Sequence, residues 1–369
     1  MAKTKATYGL SPQTSLRTIA APDLPYRPQV PKNFSPDIGL IGCGGITEQH
    51  LNAYTKAGLR VVALCDVDRA KAEARRKTYY PKAAVYTEYR DLIKHTGIEV
   101  VDVATHPHGR PEIIRAAIRA GKHVLSQKPF VLDLNEGARL ADLADAKGVR
   151  LAVNQNGRWA PHFAYMREAV KAGCIGDVNT VDFTLHWDHN WVVNTVFNNE
   201  RHLLLYDFAI HWFDMAAVFF TGRKAIQVYA SIARSRSQRP APPLIGHAVV
   251  EFEDGVATLG LNGDTPLGQE DRTDVAGTLG LLRSVGPSLS KQAVSMYSSR
   301  GIASPRLKGT WFPDGFHGAM AELLNSIAEN RQPLHHARAN LDSLALCFAA
   351  VASADRGRAI RAGTVKRLK

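Results

Sequence analysis

The 369-residue chain has few cysteines, few acidic residues and no long uninterrupted apolar run. Its four cysteines, Cys43, Cys65, Cys174 and Cys347, include no C-x-x-C pair, which argues against a disulfide framework and against a zinc knuckle. No apolar segment follows a charged N-terminal start, so no secretory signal peptide is expected. The longest apolar stretch, residues 203–220, contains three ionisable side chains, which argues against a membrane span. We therefore predict a soluble, cytoplasmic protein with no membrane partner.

Acidic residues number 34 against 46 Lys and Arg, which gives a formal net charge of +12. The excess of basic residues lies in three segments, 1–36, 69–94 and 351–369, and is not interleaved with aromatic side chains. A nucleic-acid-binding surface would show such interleaving, so we predict solvated surface charge and no nucleic-acid partner. The 14 histidines show no metal-ligand spacing, and we expect no metal site.

Residues 1–36 form a distinct N-terminal arm. They contain six prolines and no sustained periodicity. Proline fixes φ and removes a backbone donor, so the segment is predicted to be extended or disordered. Two interpretations remain open at this point, a mobile tail and an arm that lies across a neighbouring subunit.

Between residues 37 and 155, short apolar strands alternate with helices. The predicted strands are 38–41, 60–65, 100–104, 123–126 and 150–153, and the predicted helices are 47–57, 69–78, 88–95, 111–120 and 135–147. This alternation is typical of a doubly wound, parallel sheet with helices on both faces. We predict an α/β dinucleotide-binding domain of the Rossmann type.

From residue 156 onward the strands show period-two alternation of apolar and polar residues, as in 181–188 and 226–232. Residues 247–252 and 256–261 flank a Glu-Asp-Gly turn and predict a hairpin. Such alternation is typical of antiparallel sheets with one covered face. We predict that residues 156–369 form an α+β domain with a large open, mostly antiparallel sheet. It ends in two helices near 315–330 and 338–355 that can pack back on the first domain.

A glycine turn follows the first strand of the Rossmann-type domain. Gly42-x-Gly44 opens the next helix, and Thr47 occupies the third small position of the dinucleotide fingerprint. Glycines permit the tight turn and the close approach of backbone N–H groups to a pyrophosphate. The second strand ends at Asp66, where a carboxylate accepts hydrogen bonds from a ribose hydroxyl and repels a 2′-phosphate. The pattern favours NAD, although Arg69 nearby keeps NADP as the alternative, and an ordinary strand–turn–helix is the structural alternative.

Two further segments carry candidate catalytic groups. Lys128 and Pro129 follow the fourth strand, at the sheet edge where open α/β sheets bind ligands. Asp207, His211 and Asp214 are spaced i, i+4 and i+7 in an apolar helix, which predicts one shared face. A polar stripe on a buried helix needs a polar partner or a ligand. The structural alternatives are a surface lysine and a satisfied Asp–His pair.

Taken together, these motifs resemble the glucose–fructose oxidoreductase/inositol dehydrogenase (Gfo/Idh/MocA) family. The resemblance runs from about residue 37 to the end and rests on the glycine turn, the strand leading to Lys128-Pro129, Asn156-x-Arg158-Trp159-x-Pro161, Gly173-x-x-Gly176 and Asp207-x-x-x-His211. It implies that Lys128, Asp207 and His211 form the catalytic group. It also implies that residues 156–369 bind substrate and mediate oligomerisation, in a homodimer or homotetramer that pairs through the open face of the second sheet.

The interpretation assigns residues to both ligands. Expected at the cofactor are Gly42, Gly44, Gly45, Ile46, Asp66, Thr105, Pro107, Gln127, Lys128 and Asn156. Expected at the substrate are Lys128, Arg158, Trp191, Asp207, His211 and His317. Trp191 belongs to a segment whose rings and hydrogen-bonding groups suit a sugar, or alternatively a subunit contact. Gln127 stands where the family usually has Glu, which changes the support for the ammonium form of Lys128, and Arg110 stands where it commonly has His.

These residues predict NAD-dependent oxidation of a secondary alcohol or lactol hydroxyl of a sugar or polyol. Hydride passes from the carbinol carbon to the nicotinamide while His211 takes the hydroxyl proton. Lys128 stabilises the developing negative charge, and Asp207 orients the hydroxyl or the imidazole. Direct proton removal by Lys128 is an alternative. The other functions that we consider are a retained-cofactor sugar oxidoreductase, an NAD-dependent glycosidase and a non-catalytic NAD-binding sensor.

Overall fold

The fold is described from a computed structural model, which describes residues 16–368. Residues 1–15 of the predicted arm lie outside the described residues. Within 16–368, no helix is both long enough and apolar enough to cross a membrane.

The chain forms two sheets with helices packed on them. The strands, in chain order, are β1 (Thr18–Ile19), β2 (Asp37–Ile41), β3 (Arg60–Cys65), β4 (Ala84–Tyr86), β5 (Ile98–Val103), β6 (His123–Ser126), β7 (Leu151–Val153), β8 (Val178–His186), β9 (Ala225–Ala233), β10 (Ile245–Phe252), β11 (Gly255–Asn262), β12 (Glu270–Gly277), β13 (Gly280–Ser288), β14 (Lys291–Ser298), β15 (Gly301–Ala303) and β16 (Ile360–Arg361). The α-helices are α1 (Thr47–Lys56), α2 (Arg69–Tyr79), α3 (Tyr89–Ile93), α4 (Arg110–Arg119), α5 (Leu134–Ala146), α6 (Pro161–Lys171), α7 (Ile210–Phe219), α8 (Trp311–Ala328) and α9 (Ala337–Arg356).

The first sheet has six parallel strands in the order β4-β3-β2-β5-β6-β7. Parallel strands need crossover connections, and α1 to α5 supply them. The predicted doubly wound Rossmann sheet is therefore confirmed. Since all six strands run the same way, their carboxyl ends meet at one edge. That edge gathers the glycine turn after β2, Asp66 after β3, Thr105 after β5 and Gln127 after β6.

The second sheet has ten strands in the order β1-β15-β14-β13-β12-β8-β11-β10-β9-β16. Its neighbours are antiparallel except β8 with β11 and β1 with β15, so the predicted open, mostly antiparallel sheet is confirmed. The predicted hairpin is present, with Phe252 of β10 paired with Gly255 of β11. α9 packs against β9, while Ile226, Tyr229, Val249 and Val285 remain partly exposed.

α8 belongs to the second half of the sequence but packs against α1 of the first domain. Four of its apolar side chains, Phe316, Met320, Leu323 and Leu324, are buried in one cluster with residues of β2, β3 and α1. The first domain therefore shares a hydrophobic core with a helix that is more than 150 residues away in sequence.

Residues 16–36 of the arm lie extended on their own chain. β1 adds to the edge of the second sheet beside β15. The Tyr165 hydroxyl donates to the Pro22 carbonyl at 3.0 Å, and the Asn325 amide donates to the Gln29 carbonyl at 2.6 Å. The arm thus connects the second sheet to α8 within one protomer.

Candidate active site

The glycine turn lies at the carboxyl end of β2 and has room for a phosphate group. Gly42 has a φ of +96°, and a Cβ there would lie 2.9 Å from the Ala104 carbonyl, so glycine is required. A Cβ on Gly44 or Gly45 would meet no atom within 4 Å. Ile46 caps α1 without a side-chain hydrogen bond. The open turn and the uncapped helix N-terminus fit the pyrophosphate of a dinucleotide.

Asp66 is held beside this turn by backbone donors. Its Oδ2 accepts from the Cys43 amide at 2.7 Å, and its Oδ1 accepts from the Asp68 amide at 2.9 Å. Arg75 of α2 also reaches the turn, where its Nη2 donates to the Gly44 carbonyl at 3.1 Å. Arg69 forms an exposed pair with Glu73. The Asp66 carboxylate therefore contacts the glycine turn directly, and the Arg75 guanidinium lies next to it.

Arg110 connects the loop after β5 to the loop that carries Lys128. Its guanidinium donates to the carbonyls of Thr105, Gln127 and Pro129, and the side chain is almost fully buried. Burial lowers the pKa of Arg110 to about 10, so the group stays cationic at neutral pH. Arg110 therefore fixes the backbone on both sides of Lys128.

Lys128 meets Asp207 across the cleft between the two domains. The Lys128 Nζ lies 3.3 Å from Asp207 Oδ2 and donates to the Asp207 carbonyl at 3.0 Å. Both side chains are mostly buried. Since Lys128 follows β6 and Asp207 precedes α7, this ion pair forms only when the domains are docked.

His211 lies at the start of α7. Its Nδ1 donates to Gln155 Oε1 at 3.1 Å, because an amide oxygen only accepts, and this leaves a lone pair on Nε2. The indole of Trp311 packs edge-on with its ring centroid 5.5 Å away. Burial first, and then the charge of Lys128, lower the pKa of His211 well below 6.5. The imidazole is therefore neutral at neutral pH and able to accept a proton.

The helical spacing predicts one shared face for Asp207, His211 and Asp214, which meets either a polar partner or a ligand. A π-helical turn, Leu204–Phe208, precedes α7, so the regular i, i+4, i+7 spacing is interrupted. Asp214 instead accepts two hydrogen bonds from Arg158, at 2.6 and 2.7 Å, and a third from Ser343 at 2.9 Å. It is a buried structural anion.

Arg158 was expected at the substrate. Its Nε and Nη2 bind Asp214, and its Nη1 donates to the Leu334 carbonyl at 2.7 Å. The side chain is only 8% exposed. Each of the three guanidinium nitrogens of Arg158 therefore donates to a protein group, which favours a structural role.

The remaining predicted residues fall into different surroundings. Asn156 is buried, and its Oδ1 accepts from the Trp311 indole at 2.6 Å. Trp191 is half exposed, with its ring 6.3 Å from that of Phe208, which directly follows Asp207. Trp191 therefore borders the site.

Two other predicted residues lie at the margins. His317 of α8 is partly buried near Asp314 and Arg27, and within the described residues it forms no hydrogen bond with Lys128, Asp207 or His211. Pro107 lines a surface pocket of about 310 Å³ together with His108. A larger cavity of about 720 Å³ lies between the arm and the end of α8 and includes none of the predicted site residues in its lining.

Two models of known families match this chain. Residues 37–155 match the Gfo/Idh/MocA model described as an oxidoreductase family with an NAD-binding Rossmann fold. Residues 163–283 match the Gfo/Idh/MocA C-terminal domain. The chain belongs to the Gfo/Idh/MocA oxidoreductase family. The predicted resemblance is confirmed, and the family includes dehydrogenases.

Individual members of the family are similar over part or most of their length. A D-apiose dehydrogenase from Paraburkholderia graminis is 30% identical over 187 residues, covering 49% of this chain and 48% of that protein. A myo-inositol dehydrogenase from Streptomyces leeuwenhoekii is 26% identical over 284 residues, covering 74% of this chain and 82% of that protein. A levoglucosan dehydrogenase solved with NADH and levoglucosan is 20% identical, with a TM-score of 0.77, covering 89% of this chain and all of that one, and shows the same fold. This Gfo/Idh/MocA chain spans about half the length of the first curated relatives that it matches.

Sequence reasoning missed two neighbours of His211 in this Gfo/Idh/MocA protein. Gln155 follows β7 at the carboxyl edge of the first sheet, and that position is a usable signal for a site residue. Trp311 comes about 100 residues after His211, and no pattern in the sequence links the two.

Proposed function

We propose that this protein catalyses NAD-dependent oxidation of a secondary alcohol or lactol hydroxyl of a sugar or polyol. The observation that carries the proposal is the convergence of Lys128, Asp207 and His211 at the cleft between the two domains, where His211 of the second domain bonds to Gln155 of the first. The relatives named for D-apiose and myo-inositol support the class of substrate. The half-exposed Trp191 beside Phe208 supplies an apolar face of the kind that stacks on sugar C–H groups.

NAD would be held at the carboxyl edge of the first sheet and would supply the hydride acceptor. The proposed contacts are Gly42, Gly44, Gly45, Ile46, Asp66, Thr105, Pro107, Gln127, Lys128 and Asn156. Two backbone amides fix the Asp66 carboxylate at the turn, so it remains in place to bind ribose hydroxyls and to repel a 2′-phosphate. This favours NAD over NADP.

The protein groups divide the proton chemistry between them. His211 takes the hydroxyl proton at Nε2, because Gln155 already binds its Nδ1 proton. Lys128 donates to the same hydroxyl oxygen and stabilises its developing negative charge. Asp207 holds the Lys128 ammonium in position. A Lys128 amine acting as the base itself is the second candidate mechanism.

A panel of aldoses, inositols and other polyols, assayed with NAD by NADH absorbance, tests the reaction. His211→Ala and Lys128→Ala are each expected to lower kcat by roughly 10²–10⁴ on the substrate found. His202, which pairs with Asp355 outside the site, provides a matched histidine control, and His202→Ala should retain kcat. A His211→Ala enzyme with native kcat would remove this residue from the base role.

The same assay separates the alternative functions. Cofactor that stays with the protein through purification would favour a retained-cofactor sugar oxidoreductase or an NAD-dependent glycosidase. Binding of NADH without turnover of any polyol would favour a sensor.

Cofactor choice is tested at Asp66. We expect NAD to be preferred over NADP by at least about tenfold, equivalent to about 1.4 kcal/mol. Asp66→Ser should narrow or reverse that preference, because it removes the carboxylate that opposes a 2′-phosphate. Equal use of both cofactors by the native protein would contradict the assignment.

We also propose that the protein is a cytoplasmic homodimer or homotetramer. The partly exposed apolar residues Ile226, Tyr229 and Val249 lie on neighbouring strands of the second sheet and provide an association surface. Light scattering measures the mass, and Tyr229→Asp should shift it toward the monomer.

A further inference from the structure

A chain of buried polar side chains runs from the centre of the first sheet to Lys128. Asp102 of β5 and His50 of α1 are both fully buried, with His50 Nδ1 2.7 Å from Asp102 Oδ2. Gln127 Nε2 lies 3.0 Å from His50 Nε2, and Gln127 Oε1 accepts from the Lys128 amide at 2.7 Å. We call Asp102, His50 and Gln127 the buried chain.

The donors and acceptors fix where the protons lie in the buried chain. The Lys128 amide only donates, so it requires Gln127 Oε1, which directs the Gln127 NH₂ group at His50. His50 Nε2 must then offer its lone pair, and the Asn154 NH₂ group at 3.3 Å requires the same. The single imidazole proton therefore lies on Nδ1 and points at Asp102. Every hydrogen bond in the buried chain therefore has one consistent donor and one consistent acceptor.

The surroundings of His50 add one hydroxyl and one apolar ring to these groups. Tyr54 of the same helix donates to Asp102 Oδ2 at 2.6 Å and lies 3.4 Å from His50 Nδ1. The Phe316 ring of α8 packs with its centroid 4.8 Å from that of the imidazole. Tyr54 thus supports Asp102 from outside the path that leads to Lys128.

We propose that His50 and Asp102 are positioning residues for Lys128 and that they act through Gln127. The buried chain holds the Lys128 amide, while Arg110 holds the Gln127 and Pro129 carbonyls on either side. The reach of the Lys128 ammonium to Asp207 in the other domain depends on where this short backbone segment is fixed. The inference rests on the proposed function in that Lys128 is the reactive group.

A glutamine is the residue type that completes this arrangement. A carboxylate at position 127 would direct an acceptor at the lone pair of His50, and two acceptors do not form a hydrogen bond. The neutral amide donates to His50 and accepts from Lys128 at once. The identity of residue 127 and the tautomer of His50 are therefore linked.

Three variants test the positioning role by steady-state kinetics. His50→Leu breaks the buried chain and should lower kcat roughly tenfold to a hundredfold, as expected when a reactive group is misplaced. KM and NADH affinity should change by less than about threefold, and kcat is calculated per NADH-binding site, so that loss of folded protein is not counted as loss of rate. His50→Gln, which returns an acceptor oxygen toward Gln127, should restore most of the rate. Tyr54→Phe removes a hydrogen bond to the same Asp102 carboxylate but lies off the path, and should retain kcat.

A second measurement needs no substrate. The NADH-bound protein is treated with an acylating reagent, and mass spectrometry gives the labelling rate of Lys128 relative to the exposed Lys94. His50→Leu and Gln127→Met should each change that ratio by at least about threefold, since both release the Lys128 backbone, and Tyr54→Phe should not. Gln127→Met also serves if His50→Leu does not fold. If no polyol is oxidised, the proposed function fails while the labelling ratio still reports on positioning. An unchanged ratio in a folded His50→Leu or Gln127→Met protein would overturn the inference.

Discussion

Replacement of Asp214 by Asn should destabilise the protein without impairing its chemistry. Arg158 is 8% exposed and Asp214 1% exposed, and two hydrogen bonds of 2.6 and 2.7 Å join them. The asparagine NH₂ group would face the guanidinium N–H groups and leave a buried cation without its counter-charge. Loss of one partner of a buried pair costs about 3–5 kcal/mol.

This free-energy change converts into a measurable shift in melting temperature. An unfolding entropy of about 2.1 cal/mol/K per residue, applied to 369 residues, gives about 0.8 kcal/mol/K. The expected fall in Tm is therefore about 4–6 °C, measurable by calorimetry. At a temperature well below the transition, kcat should stay within about threefold of the native value, because Asp214 bonds to Arg158 and Ser343 and not to the proposed catalytic residues.

A double variant sharpens this test. Arg158→Met with Asp214→Leu removes both charges and should recover at least about half of the lost stability, since apolar replacements of buried pairs are often neutral. An Asp214→Asn protein that keeps its Tm but loses more than about tenfold in kcat would place Asp214 at the ligand and refute the reasoning.

Three other outcomes are expected. Burial lowers the pKa of His162 to about 3. Between about pH 6.5 and 3, this histidine is therefore protonated in the unfolded chain but not in the folded protein. The free energy of unfolding should therefore decrease as the pH is lowered through that window. His162→Phe should reduce the slope of the free energy of urea unfolding against pH by about 1.4 kcal/mol per pH unit, and an unchanged slope would contradict this. Gly42→Ala places a Cβ 2.9 Å from the Ala104 carbonyl at a φ of +96° and should weaken NADH binding more than about tenfold by fluorescence titration, whereas native affinity would show that the turn can adjust. Deletion of residues 1–30 removes β1 and the Pro22 contact, so Tm should fall in thermal unfolding; an equal Tm would make the arm a passive tail.

The first sheet was predictable because each of its main strands is a short apolar run between helices. Gly58, Gly121 and Gly148 all have positive φ and follow helices, so the helix ends were visible in the sequence. β12, β13 and β14 were not predicted. β13 buries only Leu282 and Ser284, and its remaining residues include glycine, serine and arginine, so its alternation is too weak to detect.

The candidate site was predictable where strand order decided it and unpredictable where packing did. Lys128 follows a strand of a parallel sheet, and the topology alone brings it to the ligand-binding edge. The pairing of Arg158 with Asp214 joins residues 56 positions apart, and the π-helical turn before α7 changes the phase of the helix. Neither the Arg158–Asp214 pair nor the π-helical turn produces a recognisable local pattern in the sequence. His50 and Asp102 likewise read as ordinary polar residues within a helix and a strand.

The position of α8 has a consequence for how the chain is made. Phe316, Met320, Leu323 and Leu324 fill the apolar face that α1 and the first sheet present. A nascent chain that has emerged only through residue 155 has all six parallel strands but exposes that face. The ribosome must add about 170 more residues before the face is covered. During synthesis the N-terminal half therefore exposes this apolar face until α8 is made. We expect a fragment that ends at residue 155, where the match to the NAD-binding family model ends, to aggregate unless α8 is supplied as a separate peptide.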